Sequence, residues 1–181
     1  DRLGRCPLGE QGTDAVHGLL AVARLGSARD AMAIAAKIDD AFAPGQDISL
    51  GEYRLRDDYT SLMWLGGTSA LWELGNASAA APLFYRYGAA ARTPQTRSKG
   101  FYWAGYAASR AGETAEANRY YEMAASYPDR YYGQLALEAM GREIPAFGGV
   151  PAIQPDAQAR AEFINQPLTR AVAEVARDAP W

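Results

Sequence analysis

The sequence predicts an all-α protein built from stacked helical hairpins. Apolar residues recur at helical spacing along most of the 181 residues, and no five-residue stretch shows the sustained alternation of a strand. Alanine, the strongest helix former, is abundant. Glycine turns separate pairs of apolar helices. Because one hairpin cannot bury its apolar face alone, we expect the hairpins to stack into a right-handed α-superhelix that is concave on one side.

The first hairpin turns at a glycine-serine pair. Thr13, a residue type that caps helix N-termini, is expected to begin the first helix, which runs to the turn at Gly26 and Ser27. The return helix reaches Ile38. The sequence Ala-Pro-Gly-Gln at 43–46 then breaks the helical pattern.

The second and third hairpins share a common frame. The second is expected to open near 57–58 and to turn at Gly75, whereas the third opens after Thr93 and turns at Gly112. The turn glycines lie 37 residues apart. The same offset superposes Ala80 on Ala117, Leu83 on Tyr120 and Phe84 on Tyr121. Because Gly26 precedes Gly75 by 49 residues, we expect repeat-like hairpins with unequal linkers.

The remainder of the chain continues the helical pattern after one interruption. A further helix is expected from about Asp129, and Asp156 and Pro167 are typical first-turn residues of two more helices. Glycine and proline between these regions indicate a linker. The expected boundaries are 1–145 for the hairpin domain, 146–155 for the linker and 156–181 for the start of a following helical region.

Composition argues against several function classes. Lys and Arg total 18 against 21 Asp and Glu, and the charges are interspersed, whereas a nucleic-acid surface needs clustered cations. Cys6 and His17 are the sole residues of their types, so we expect no internal disulfide, no metal and no cofactor. No apolar run approaches the ~20 residues of a membrane span. Because the sequence starts at Asp1 without methionine, we expect a processed chain or part of a longer one.

The stretch 98–145 resembles a known family. The segments YWAG at 102–105, Tyr127-Pro128 and YYGQLA at 131–136 look like the helical scaffold of the soluble lytic transglycosylases. Weaker similarity extends over 54–88 and into 162–171. The same hairpin also resembles a tetratricopeptide unit at Phe101, Gly105, Gly112, Ala117, Tyr121 and Ala124, with Pro128 one position before the expected terminal proline.

The resemblance implies a scaffold without its own chemistry. In that family a superhelical region precedes a lysozyme-like domain, which cleaves the MurNAc-GlcNAc bond of peptidoglycan without water and leaves a 1,6-anhydro end. The catalytic acid there is a glutamate followed by serine, and none of the ten glutamates of this chain precedes a serine. The resemblance therefore implies the non-catalytic scaffold of a periplasmic lytic transglycosylase. Its partners would be peptidoglycan glycan strands and the absent catalytic domain, which would lie beyond Trp181.

Two other functions fit the same residues. A tetratricopeptide-like adaptor would bind a peptide or partner protein in its groove and would have no enzyme attached. A structural subunit of a cell-envelope assembly would bind other cell-envelope proteins.

Few polar side chains are candidates for chemistry. Glu73 is flanked by Trp72 and Leu74, but a solvated helix face explains it better than a catalytic acid. The aspartate pairs at 39–40 and 57–58 would diverge by about 100° on a helix, so capping and helix-dipole effects are favoured over a shared proton or a metal. His17 would be required for a Ser-His-acid triad, and we expect it to be a packed or surface histidine.

Tyrosines are the main candidates for ligand contact. The cluster comprises Tyr120, Tyr121, Tyr127, Tyr131 and Tyr132. Aromatic faces with polar tips suit sugar rings, although packing between hairpins explains most of these positions. We expect Tyr121 in the core and Tyr131 or Tyr132 on a glycan groove. Gly105 and Gly133 are expected to allow close approach between helices.

Overall fold

The computed structural model describes residues 8–148 and 156–178, which form nine α-helices and no strand, so the all-α prediction is confirmed. Contacts divide the chain into two compact units, Asp1–Pro145 and Ala146–Trp181. Residues 149–155 of the expected linker lie outside the described residues, as do Cys6 and Trp181. The helices are α1 (Leu8–Leu25), α2 (Ala28–Lys37), α3 (Tyr53–Thr68), α4 (Ala77–Ala90), α5 (Pro94–Arg110), α6 (Thr114–Ala125), α7 (Tyr131–Ala139), α8 (Ala157–Asn165) and α9 (Pro167–Asp178).

The first unit is a stack of hairpins. Helices α1 and α2, α3 and α4, and α5 and α6 pack as antiparallel neighbours across short turns, and α4 packs on α5 to join the second hairpin to the third. Helix α1 also contacts α3, and α5 also contacts α7.

Turn chemistry agrees with the predicted hairpins. Ser27 and Asp30 form a capping box at the start of α2, and the Thr93 hydroxyl accepts from the Thr96 N–H at the start of α5. Gly75 and Gly112 have φ values of 63° and 79°, which favour glycine. Each glycine therefore ends one helix of a hairpin at the predicted place.

The core contains the positions superposed by the 37-residue offset. All six side chains of the three superposed pairs are buried, from 0% exposure for Phe84 to 8% for Tyr121. Alanine supplies much of the surrounding surface in α4, α5 and α6, which lets the helices approach closely. The repeated frame read from the sequence is thus a repeated buried face.

Two glycines permit close contacts, as predicted. A Cβ on Gly105 would lie 2.6 Å from Cδ1 of Tyr121, and a Cβ on Gly133 would collide with the backbone carbonyl of Tyr127. Gly105 therefore brings α5 onto α6, and Gly133 brings the first turn of α7 onto the turn before it.

Several predicted helix starts are wrong. Thr13 lies inside α1 and is buried, because it shares a helical face with Val16 and Leu20. The second hairpin opens at Tyr53, ahead of 57–58, because Leu55 and Tyr59 are buried and anchor the first turns of α3. No side chain caps the start of α3, so apolar burial in its first turns anchors this helix.

The second unit contains α8 and α9. The Asp156 carboxylate accepts from the N–H groups of Gln158 and Ala159 at 2.6 and 3.2 Å, and Pro167 is the first residue of α9, both as predicted.

None of the described helices combines the length and apolarity that crossing a bilayer requires.

Candidate functional site

A set of aromatic side chains lies on α3, on the turn that follows it, and on α4, α5 and α7, where two contacting groups of rings are joined through the buried ring of Phe84. We call this set the aromatic stripe, and it comprises Trp64, Trp72, Tyr87, Tyr102, Trp103, Tyr106, Tyr131 and Tyr132. Every member is exposed or half-buried. Ring centroids of contacting members lie 5.1 to 5.6 Å apart, in tilted or edge-to-face arrangements. The distances and angles are those of favourable aromatic pairs.

Helix α5 is the centre of the stripe. Lys99, Tyr102, Trp103 and Tyr106 occur at helical spacing, so they lie on one face of the helix. The other faces carry Phe101 and the buried alanines that pack into the core. The sequence thus assigns one side of α5 to the core and presents aromatic rings and one cation on another.

A π-helical segment places Trp72 next to α5. The segment Ser69–Glu73 continues α3, and the N–H of Leu74 donates to the Ser69 carbonyl at 3.0 Å, a spacing of five residues. The Trp72 ring is 54% exposed and lies 5.2 Å from the Trp103 ring. Because the π turn inserts a residue relative to an α-helix, it shifts which side chains face α5.

Glu73 ends the same π segment. Its carboxylate accepts the Ser69 hydroxyl at 2.9 Å, and the residue is exposed. A general acid for glycoside cleavage is usually held in an apolar cleft. The surroundings of Glu73 fit the expected solvated helix face.

The tyrosine cluster of the sequence separates into surface and core members. Tyr131 is 62% exposed, and Tyr132 is half-buried with its ring 5.6 Å from that of Tyr102. Tyr120 and Tyr121 are buried. The Tyr127 hydroxyl accepts a hydrogen bond from Arg97 Nε at 2.8 Å. The predicted candidates Tyr131 and Tyr132 therefore lie in the stripe, and Tyr121 lies in the core as expected.

Lys99 introduces a positive charge into the stripe. Its Nζ lies 3.5 Å from the ring centroid of Trp64 and 5.5 Å from that of Tyr87, which places the ammonium on aromatic faces. Partial burial lowers the pKa of Lys99 from its usual value, since desolvation disfavours the charged form. Sequence analysis did not single out this residue.

A separate cavity lies beside the connection between α2 and α3. It has a volume of about 660 Å³, and its lining includes Asp39, Asp47, Tyr59 and Arg86. One Asp39 oxygen accepts the Tyr59 hydroxyl at 2.7 Å, and the other accepts from Arg86 at 3.0 Å. Burial, and then the bond to Asp39, raises the pKa of Tyr59. The assignment of the 39–40 pair to capping is therefore wrong for Asp39, which links α3 and α4.

The second aspartate pair also differs from its prediction. Asp57 and Asp58 lie inside α3, and the Asp58 carboxylate accepts from Nδ1 of His17 at 3.0 Å. Asp58 therefore joins α1 to α3 in place of capping a helix. The His17 side chain is 56% exposed, which is the expected surface setting. Within residues 8–148 and 156–178, no three His, Cys, Asp or Glu side chains are grouped in a way that could hold a metal ion.

Comparisons with protein-family models, curated proteins and solved structures find no match to this chain. The aromatic stripe is therefore described by its own geometry alone. Helical spacing at 99–106 was visible in the sequence, whereas the contributions of Trp64 and Trp72 depend on packing between hairpins.

Proposed function

We propose that this chain is the non-catalytic superhelical scaffold of a peptidoglycan lytic transglycosylase, and that the aromatic stripe binds glycan strands. The observation that supports this proposal is the stripe itself, with eight exposed or half-buried rings on neighbouring hairpins. Clustered surface aromatics mark interaction sites, because they leave apolar area in water. Ring faces match the C–H faces of sugars, and the tyrosine and tryptophan polar tips match sugar hydroxyls.

The layout of the stripe favours an extended ligand. Its rings come from α3 and its π-helical continuation, from α4, from α5 and from α7. Packed helices lie about 8–10 Å apart, so a ligand that covers the whole stripe must cross several helix spacings. A polysaccharide chain meets that requirement, and several weak ring contacts along it add to one useful affinity.

The proposed role needs no catalytic acid in this chain. The scaffold would hold the glycan strand, and a lysozyme-like domain of the parent protein would cleave the MurNAc-GlcNAc bond and leave the 1,6-anhydro end. The setting for such a protein is the periplasm. Consistent with this role, Glu73, which follows Trp72 of the stripe in sequence, is exposed and accepts a hydrogen bond from the Ser69 hydroxyl.

Retention on insoluble peptidoglycan tests the proposal. Tyr131→Ala and Trp72→Ala each remove an exposed ring of the stripe, and a ring contact is worth about 0.5–1.5 kcal/mol, which is about 2- to 10-fold in affinity. We expect each variant to weaken sedimentation with peptidoglycan by that factor. The control is Tyr53→Ala, because Tyr53 is 73% exposed at the start of α3 and contacts Arg56 outside the stripe.

Two results would contradict the proposal. Equal loss in Tyr53→Ala and in the stripe variants would show that exposed tyrosines act non-specifically. Failure of the wild-type chain to sediment, together with binding to peptides that is lost in Trp72→Ala, would assign the stripe to the adaptor function. We also expect no release of anhydro-muropeptides by the pure chain, and turnover would reveal a catalytic acid in it.

A further inference from the structure

Lys99 is a cation without a carboxylate partner in the part of the chain that the structure describes. The ion pairs there are formed by His17 and by arginines, among them Arg86, Arg119 and Arg142. Lys99 instead places its Nζ 3.5 Å from the centroid of the Trp64 ring. The ammonium is therefore held among the rings of the stripe by cation–π contacts and, within the described residues, by no ion pair.

The ammonium keeps binding capacity in this position. It has three N–H donors, and an aromatic face below it satisfies at most part of them. Partial burial has already removed part of its water, and this desolvation lowers the pKa of Lys99. A carboxylate that docks beside it therefore meets a poorly screened charge and forms a charge-assisted hydrogen bond.

Building on the proposed glycan function of the stripe, we propose that Lys99 is its carboxylate-binding subsite. The stripe would then select glycan chains that carry carboxylates, as those containing N-acetylmuramic acid do, over neutral chains of N-acetylglucosamine. Two parts of peptidoglycan supply the same chemistry, namely the lactyl carboxylate of a peptide-free strand and the carboxylates of attached stem peptides. The neighbouring rings of Trp64 and Tyr87 would hold the sugar that carries the acid next to the ammonium.

Binding measurements with matched ligands and variants test the subsite. The ligands are a neutral N-acetylglucosamine oligosaccharide, peptide-free glycan strands and peptide-bearing strands, and tryptophan fluorescence reports the affinity. Lys99→Met keeps a long side chain over Trp64 and removes the charge. The chain has one other lysine, Lys37, which is exposed at the end of α2, so Lys37→Met is the control.

We expect the wild type and Lys37→Met to bind an acidic glycan about tenfold more tightly than the neutral one, the effect of a hydrogen bond between charged groups. Lys99→Met should lose this preference and keep its affinity for the neutral ligand. Lys99→Arg, which keeps the positive charge, should keep most of the preference for the acidic glycan. Preference for peptide-free strands assigns the lactyl carboxylate, and preference for peptide-bearing strands assigns the stem peptide.

The same ligands give a second measurement that does not depend on affinity. Reductive methylation with ¹³C labels the two lysine side chains, and the Lys99 signal should titrate below the usual lysine range and move upward when an acidic glycan binds. Equal binding of neutral and acidic glycans, or a preference that survives Lys99→Met, would overturn the subsite and leave the glycan function standing. Failure of the wild type to bind any of the three ligands would contradict both the Lys99 subsite and the glycan-binding function.

Discussion

Replacing Gly105 by alanine tests whether the close contact of α5 with α6 is required. The new Cβ would lie 2.6 Å from Cδ1 and 3.0 Å from Cγ of Tyr121, well inside the ~3.5–4.0 Å optimum for carbon atoms. Tyr121 is 8% exposed, and its ring is 5.8 Å from that of Tyr102, so it cannot move without disturbing a second ring. Overpacking of this kind costs about 1–3 kcal/mol.

A matched glycine isolates this steric cost from helix propensity. Gly18 lies in the middle of α1, and in the part of the chain that the structure describes a Cβ there would have no atom of another helix within 4 Å. Alanine at either position gains about 1 kcal/mol in helix propensity, but only Gly105→Ala also pays the clash. The free energy of unfolding of Gly105→Ala should therefore fall about 1–3 kcal/mol below that of Gly18→Ala.

Urea unfolding followed by circular dichroism measures both variants. The midpoint should rise for Gly18→Ala relative to wild type, and it should be lower for Gly105→Ala than for Gly18→Ala. Equal stability of the two alanine variants would refute the reasoning, because it would mean that α5 and α6 do not require a glycine at their contact.

Three further outcomes are expected. Gly133→Ala should lower the urea midpoint more than Gly105→Ala does, because the new Cβ collides with the backbone carbonyl of Tyr127, which cannot rotate away as a side chain can. A smaller loss than that of Gly105→Ala would contradict this prediction. Tyr59→Phe removes the hydroxyl that donates to Asp39 at 2.7 Å, and it should lower the free energy of unfolding by about 1–2 kcal/mol; no change would mean that water replaces this bond fully. Burial raises the pKa of Tyr121 from 10.0 to about 12. The contribution of its protonated hydroxyl to stability is therefore present below pH 10, and it is lost between pH 10 and 12, where the unfolded state has already released the proton. Urea midpoints that stay constant between pH 10 and 12 would contradict this prediction.

Much of the candidate site was accessible from local sequence and part of it was not. Tyr131 and Tyr132 were predicted as candidates for glycan contact because aromatic faces with polar tips suit sugar rings, and both lie in the stripe. Trp64 and Trp72 were missed, since each lies in a different hairpin from α5 and meets it only after packing. The π segment that places Trp72 is defined by a backbone hydrogen bond across five residues, from the Leu74 N–H to the Ser69 carbonyl, and the spacing of apolar residues did not predict it.

The partners of the charged side chains also depend on tertiary contacts that the local sequence does not show. Asp39 and Asp58 were assigned to helix ends from their neighbours in sequence, whereas each binds a side chain from another helix. The same carboxylate can bond to a nearby backbone N–H or to a side chain of another helix, and only the packing of the helices decides which partner is within reach. Lys99 likewise gained its role from the ring of Trp64, 35 residues away in sequence.

The sequence by itself determined the helical class, the glycine turns and the repeated buried positions, because helix propensity, capping and apolar periodicity act over a few neighbouring residues. Tertiary structure alone decided where the helices begin when no cap is present, which rings join into one surface and which charge lies among them. These features depend on contacts between hairpins. The aromatic stripe is therefore a property of the stack, although each of its rings is placed by the helix that carries it.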